Sequence, residues 1–326
     1  MKLATIHNGK PDGALVLVSR DLARMTPASA IAPNLQSAME QWDAVEGDLR
    51  GLAERLERGD APGTAPFDPA EALAPMPRAW QWLDGSAFQS HGDLMSAVFG
   101  MEKLPYDATP LMYQGLSDRF LRPGEDCVLP SEEDGIDFEG EFGVITDAVP
   151  MGTDAAAARA HIKLIVLIND WSLRRIAPVE MKTGFGWIQA KPACSMAPIA
   201  VTPDELGQAW RDARVHLDLL VDWNGKRFGA ANGGTMAFGF DQLVAHAART
   251  RDLVAGTIIG SGTVSNENYR EVGSSCIAER RGIELLDDGE AKTGFMRFGD
   301  HVRMDARLPD GGSVFGLIDQ QVVAAS

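Results

Sequence analysis

Asp137-Phe138-Glu139-Gly140-Glu141-Phe142 is followed about thirty residues later by Asp170, which closes an apolar run. Alternate side chains of a strand share a face, so Glu139 and Glu141 point the same way and repel unless positive charge lies between them. A divalent cation would supply that charge. The other reading is a solvated strand face, with Phe138 and Phe142 forming the apolar face behind it.

Outside that stretch, composition narrows the options. The chain has 326 residues and 45% hydrophobic content, which predicts a packed globular protein with one large core and an appended smaller domain, or two comparable domains. A formal charge of -16 repels phosphate backbones and anionic membranes, and no basic stripe with interleaved aromatics offsets it. Neither nucleic acid nor membrane is expected as a partner. An anionic small-molecule substrate would need local positive charge from a metal or from individual Lys and Arg residues. Cys127, Cys194 and Cys276 lie far apart without a C-x-x-C pair, which points to neither a zinc cluster nor a disulfide framework and fits a reducing, cytoplasmic setting. Met1 to His7 lacks an apolar signal core, and the longest apolar run, Leu164 to Ile168, is too short to span a bilayer.

Short strands are predicted at Leu3 to His7 and Ala14 to Ser19, around the turn Asn8 to Gly13. Leu35, Met39, Trp42, Val45, Leu49, Leu52 and Leu56 recur at helical spacing up to Gly59. Residues 61–77 carry five prolines and place a domain boundary there, giving a small N-terminal domain over 1–77 and a body over 78–326. Strands are expected at Phe138 to Ile145, Leu164 to Asn169, Val215 to Trp223, Thr257 to Ser261, Ser275 to Arg280 and His301 to Leu308, with a hairpin turn at Asn224-Gly225. Helices are expected at Gly92 to Met101, Asp154 to Ala160 and Asp241 to Thr250. Strands and crossover helices do not alternate regularly, which favours an α+β, mainly β fold with a rolled or sandwiched body.

Four motifs in register carry a resemblance: Asp137 to Glu141, Leu167-Ile168-Asn169-Asp170-Trp171-Ser172-Leu173-Arg174, Gln189-Ala190-Lys191-Pro192, and Gly260-Ser261-Gly262-Thr263-Val264-Ser265. In order and spacing they resemble the fumarylacetoacetate hydrolase family, from about Trp82 to the C-terminus. The resemblance implies a small N-terminal domain, a mixed β-sandwich roll and a homodimer. It also implies a carboxylate-bound Mg²⁺ or Ca²⁺, with Mn²⁺ as an alternative, acting on 2-oxo or β-diketo acids. The metal ligands it implies are Glu139, Glu141 and Asp170, together with Asp84, which stands seven residues before His91 as in the fumarylacetoacetase-like branch. All are oxygen donors suited to a hard cation.

By the same resemblance His91 pairs with Glu279, which would fix its tautomer and raise its basicity so that it takes a proton from water. Lys191 and Arg174 match family cations beside the developing oxyanion, and Tyr113, Gly262 and Thr263 match substrate-binding positions. Leu116 stands where fumarylacetoacetases carry an arginine, and Arg175 to Met181 lack the family's glutamine and tyrosine. Hydrolysis of a carbon–carbon bond in fumarylacetoacetate or a related acylpyruvate is the leading expectation. Decarboxylation, tautomerisation or hydration of a 2-oxo acid at the same metal site is the second, and a catalytically idle metal-binding scaffold the third.

Overall fold

In the computed structural model, which describes residues 1–99 and 109–325, the turn at residues 8–13 joins β1 (Lys2–Ile6) to β2 (Ala14–Val18). Strands β3 (Arg24–Pro27) and β4 (Ala65–Pro66) extend this meander. The apolar stripe forms two helices, α1 (Leu35–Glu40) and α2 (Trp42–Arg58), broken at Gln41. Asn34 caps α1 by accepting the Ser37 N–H at 2.8 Å, and Gly59, at φ 82°, ends α2 in a conformation that a Cβ would strain. The proline-rich stretch 61–77 is an ordered connector that holds β4 and a short 3₁₀ turn, Pro69–Glu71.

The body continues with β5 (Trp82–Gly85), α3 (Gln89–Phe99), β6 (Met112–Gln114), β7 (Cys127–Leu129), β8 (Ile136–Asp137) and β9 (Gly140–Thr146). Next come α4 (Ala155–His161), β10 (Ile162–Asn169), β11 (Ser172–Leu173), α5 (Ala177–Thr183), β12 (Ser195–Met196) and β13 (Ile199–Val201). After β14 (Trp210–Arg211) and β15 (Arg214–Val215), a hairpin pairs β16 (Asp218–Trp223) with β17 (Lys226–Asn232). The last elements are α6 (Phe240–Ala247), β18 (Thr257–Gly260), α7 (Tyr269–Val272), α8 (Ile277–Asp288), β19 (His301–Ala306) and β20 (Ile318–Ala324).

One sheet runs β4-β3-β2-β1-β13-β10-β9-β18-β5-β6 with β12 beside β10, and another runs β17-β16-β19-β20-β7. Strand β10 is buried on both faces, which explains its unbroken apolar run. Ile165 and Leu167 belong to the core shared with Leu219 and Met304 of the second sheet, whereas Leu164, Val166 and Ile168 pack with Met39, Trp42 and Leu49 of the N-terminal helices. The N-terminal domain joins the body as added strands, since β1 pairs antiparallel with β13, Leu3 opposite Ala200. This is the mixed β-sandwich roll with a small N-terminal domain that the motifs imply.

Two expectations need correction or limits. Ser275 to Arg280 is not a strand, because Cys276 caps α8 and only an isolated bridge to Glu139 is left of strand pairing. The helix expected from Gly92 starts earlier, at Gln89, so His91 lies inside its first turn, and the expected end at Met101 lies outside the described residues. Among the described residues no helix is long and apolar enough to cross a membrane.

Candidate metal and catalytic site

Neighbouring strands β10, β9, β18, β5 and β6 each bring one position to the same place. Asp170 follows β10 directly, Glu141 sits opposite Ile168, and Asp84 sits opposite both Gly260 and Tyr113. Strands two apart in a sheet are nearly 10 Å apart, so carboxylates on β9 and β5 meet only if the strand between them leaves room. Gly260 leaves it: a Cβ there would fall 2.5 Å from Asp84 Oδ1 and 2.8 Å from Glu141 Oε2, and would strike the Trp82 ring. Oxygens of Asp84, Glu141 and Asp170 consequently lie within 4.8 Å of one another, all buried.

These three carboxylates are held differently. Asp170 accepts three hydrogen bonds, from Tyr113 Oη and Lys191 Nζ at 2.5 Å each on Oδ2 and from the Cys194 thiol at 2.9 Å on Oδ1. Asp84 accepts the Gly262 N–H at 3.1 Å and shares a hydrogen bond with Glu141, and burial together with the nearby Asp170 pushes its carboxyl up to about 8. Glu141 is fully buried, and among the described residues its oxygens have no partner but the Asp84 carboxyl. Burial, then Asp84 and Asp170, push it well above the usual carboxylate range. Three buried carboxylates gathered around the single ammonium of Lys191 call for more positive charge, and their all-oxygen donor set fits a hard divalent ion.

Glu139 is placed otherwise, before β9 and without solvent exposure of its pair, since Glu139 and Glu141 are both buried. The solvated-face reading is excluded by that burial. Glu139 accepts Ser172 Oγ at 2.6 Å, Lys191 Nζ at 2.8 Å and Thr263 Oγ1, and Arg174 Nη2 lies 2.9 Å away. Burial pushes this carboxyl up, yet Arg174 and Lys191 together hold it well below the usual range. The structure thus gathers Asp84, Glu141 and Asp170 and sets Glu139 at the margin as the partner of protein cations. Burial opposes the charge on Lys191, but Asp170 and Glu139 raise it, so the ammonium stays protonated. Arg174 donates from Nε to Asp137 at 2.8 Å, so its guanidinium bridges Asp137 and Glu139.

His91 and Glu279 come from different helices, α3 and α8, and their Nδ1 and Oε2 atoms stand 3.9 Å apart. Neither atom has a hydrogen-bond partner among the described residues. Glu279 is held from its other oxygen by Ser265 Oγ at 2.5 Å, and Ser90 Oγ donates to Ser265 Oγ at 2.8 Å. The segment after β18 therefore ties the two clusters together. Gly262 binds Asp84, Thr263 binds Glu139 and Ser265 binds Glu279. Gly262 adopts φ 76°, and a Cβ there would collide with the Gly85 carbonyl.

Sequence reasoning missed Asp137, Ser172, Ser265, Cys194 and Trp187. Asp137 and Ser172 lie inside quoted motifs, but nothing in their spacing shows that Asp137 accepts the Ile277 and Ala278 N–H groups at 2.7 and 2.9 Å, starting α8. Glu180 accepts the N–H groups of Ile188, Gln189 and Ala190 and so fixes the turn before Lys191. Trp187 in that turn meets the Tyr113 ring edge-on at 5.8 Å.

Comparison with known proteins follows the same division of the chain. Residues 81–323 match the family model for the fumarylacetoacetate (FAA) hydrolase C-terminal domain, and residues 1–78 match fumarylacetoacetase N-terminal domain 2. A 2,4-didehydro-3-deoxy-L-rhamnonate hydrolase of Sphingomonas sp. (strain SKA58) is 29% identical over 163 residues, 49% of this chain and 54% of that protein. The chain thus spans about half the length of the curated relatives it matches. Among solved structures, an HpcE-like protein of Mycobacterium smegmatis superposes over 100% of both chains with a TM-score of 0.72 at 19% identity. Maleylpyruvate hydrolase from Sphingobium sp. SYK-6, in complex with manganese(II) and pyruvate, superposes over 100% of both chains with a TM-score of 0.64 at 16% identity.

Proposed function

The chain belongs to the fumarylacetoacetate hydrolase family, and we propose that it is a divalent-cation-dependent hydrolase of a carbon–carbon bond in a β-diketo acid, fumarylacetoacetate or a related acylpyruvate. The observation that carries this reading is the buried trio Asp84, Glu141 and Asp170, in which Glu141 has, among the described residues, no partner but the Asp84 carboxyl. Asp84, Glu141 and Asp170 would hold the cation, Mg²⁺, Ca²⁺ or Mn²⁺, with Glu139 behind them. When bound, such an ion would supply Lewis acidity at a substrate carbonyl.

The protein's own groups do the rest. Lys191 keeps its proton and offers fixed positive charge beside the position where an enolate oxygen develops. His91, with Nδ1 turned to Glu279, takes a proton from water at Nε2, and that water attacks the carbonyl. The carbon–carbon bond then breaks, its electron pair passes to the enolate, and the proton returns to carbon. Tyr113 orients Asp170, and Arg174 keeps Glu139 ionised. The reading takes the protein to be a cytoplasmic homodimer with a small anionic substrate and no nucleic-acid or membrane partner, in keeping with its formal charge of -16.

A second reading, decarboxylation, tautomerisation or hydration of a 2-oxo acid, is favoured by the 3.9 Å gap between His91 and Glu279, since enolate chemistry alone needs no water activator. Absorbance decay of fumarylacetoacetate, acetylpyruvate and oxaloacetate with Mg²⁺, Mn²⁺ or EDTA separates the two. The hydrolase reading expects EDTA-sensitive loss of a diketone that falls by about 10²-fold or more in His91→Ala. Loss of oxaloacetate alone, or turnover indifferent to His91, supports the second reading instead.

A further inference from the structure

We propose that His91, Cys276 and Glu279 form a second cation site, separate from the oxygen cluster and suited to a soft, zinc-class ion. A ring nitrogen of His91, Cys276 Sγ and a Glu279 carboxylate oxygen lie within 4.8 Å of one another. Ligand atoms of a tetrahedral zinc site stand roughly 3.3–3.8 Å apart, given bond lengths of about 2.0–2.3 Å. The closure required is therefore small, and His91 Nδ1 and Glu279 Oε2 already stand at 3.9 Å.

The surroundings are built for ligation. His91 Nδ1 and Glu279 Oε2 are buried atoms with no hydrogen-bond partner among the described residues. Glu279 is 0% exposed, and its carboxylate is oriented through Oε1 by Ser265. Cys276 Sγ accepts the Glu279 N–H at 3.4 Å, the kind of outer contact that steadies a metal-bound sulfur. Cys276 and Glu279 stand at the N-cap and third position of α8, so one helix turn presents both, and α3 brings His91 against them. The His91 side chain, 18% exposed, provides the route in.

Donor chemistry separates this site from its neighbour. Nitrogen, sulfur and one oxygen favour zinc-class ions, whereas three carboxylates favour magnesium, calcium or manganese. Burial, then the nearby Asp137, push the Cys276 thiol well above its usual range, and coordination would displace its proton to solvent. A bound ion would also separate His91 from Glu279 and, by taking the Nδ1 lone pair, leave the ring proton on Nε2, which could then no longer accept a proton from water. Binding stands on the geometry alone; the loss of hydrolysis rests on the function proposed above.

Cobalt(II) reports thiolate ligation through a near-ultraviolet charge-transfer band, so the Mn²⁺-loaded protein is titrated with Co²⁺ and then with Zn²⁺. The expected result is one equivalent of band, displaced by Zn²⁺, absent in Cys276→Ser, present in Cys194→Ser, and at least tenfold weaker in Co²⁺ affinity in His91→Ala. Serine is a good N-cap, so α8 keeps its start in Cys276→Ser. A band that survives Cys276→Ser, or that vanishes only with Cys194→Ser, overturns the proposal by placing the ion beside Asp170. Zinc inhibition of diketone hydrolysis in excess Mn²⁺, scored against each variant's own untreated rate, should weaken at least tenfold in Cys276→Ser. A Cys276-dependent band with turnover unaffected by Zn²⁺ upholds the site and removes His91 from the hydrolytic mechanism.

Discussion

Lys191 Nζ lies 2.8 Å from Glu139 and 2.5 Å from Asp170, yet among the described residues no protein cation pairs with Glu141. Two glutamates separated by one glycine therefore differ: Glu139 is held ionised by the protein, while Glu141 and Asp84 are pushed towards the protonated form. The shared direction of the pair was legible in the sequence; their division of labour was not, because Arg174 and Lys191 reach Glu139 only through tertiary folding. A measurable pH dependence follows from Asp84. Its carboxyl titrates at about 8 in the fold against an ordinary value of 3.8, so between those limits the folded state binds more protons than the unfolded one. Cation-free stability should therefore fall as pH rises through that window. Thermal unfolding in EDTA is expected to drop by on the order of a few degrees between pH 5.5 and 8. Mn²⁺ should abolish the drop and bind more tightly at the higher pH, since binding releases the proton. A flat Tm in EDTA would show that Asp84 is ionised without a cation.

At the scale of elements, α8 depends on a carboxylate from far along the chain. Asp137 accepts the first two N–H groups of that helix and pairs with Arg174, meeting both the helix dipole and a partly buried guanidinium. Asp137→Ala should cost about 1.5–3 kcal/mol, the usual consequence of losing a hydrogen bond to a charged group, read as a lowered urea midpoint. An unchanged midpoint would mean that Glu139 alone suffices for Arg174. The same dependence explains why Ser275 to Arg280 was misjudged. Ser275-Cys276-Ile277 reads locally as extended, and the group that begins the helix stands 140 residues earlier. By contrast β1, β2, β10 and the Asn224-Gly225 hairpin were legible, because apolar alternation and turn chemistry act within a few residues; Asn224 and Gly225 adopt φ 50° and 74°, as that turn demands.

At the scale of the molecule, the proline-rich boundary near residue 77 divides the sequence more sharply than it divides the structure. Leu3, Leu15 and Leu17 share a core with Leu164, Val166 and Ile168, and β1 supplies the partner strand of β13. Residues 79–326 expressed alone should therefore expose a strand edge and an apolar face, and are expected in the insoluble fraction or without a cooperative unfolding transition. A soluble fragment with a sharp transition would show the first domain to be dispensable for folding.

That pairing also sets a clock on synthesis. Ala200 leaves the ribosome long after its partner Leu3, and at roughly 5–20 residues per second the interval is about 10–40 s. Throughout it β1 lacks the partner that β13 provides, so that edge must stay unpaired until Ala200 has been made.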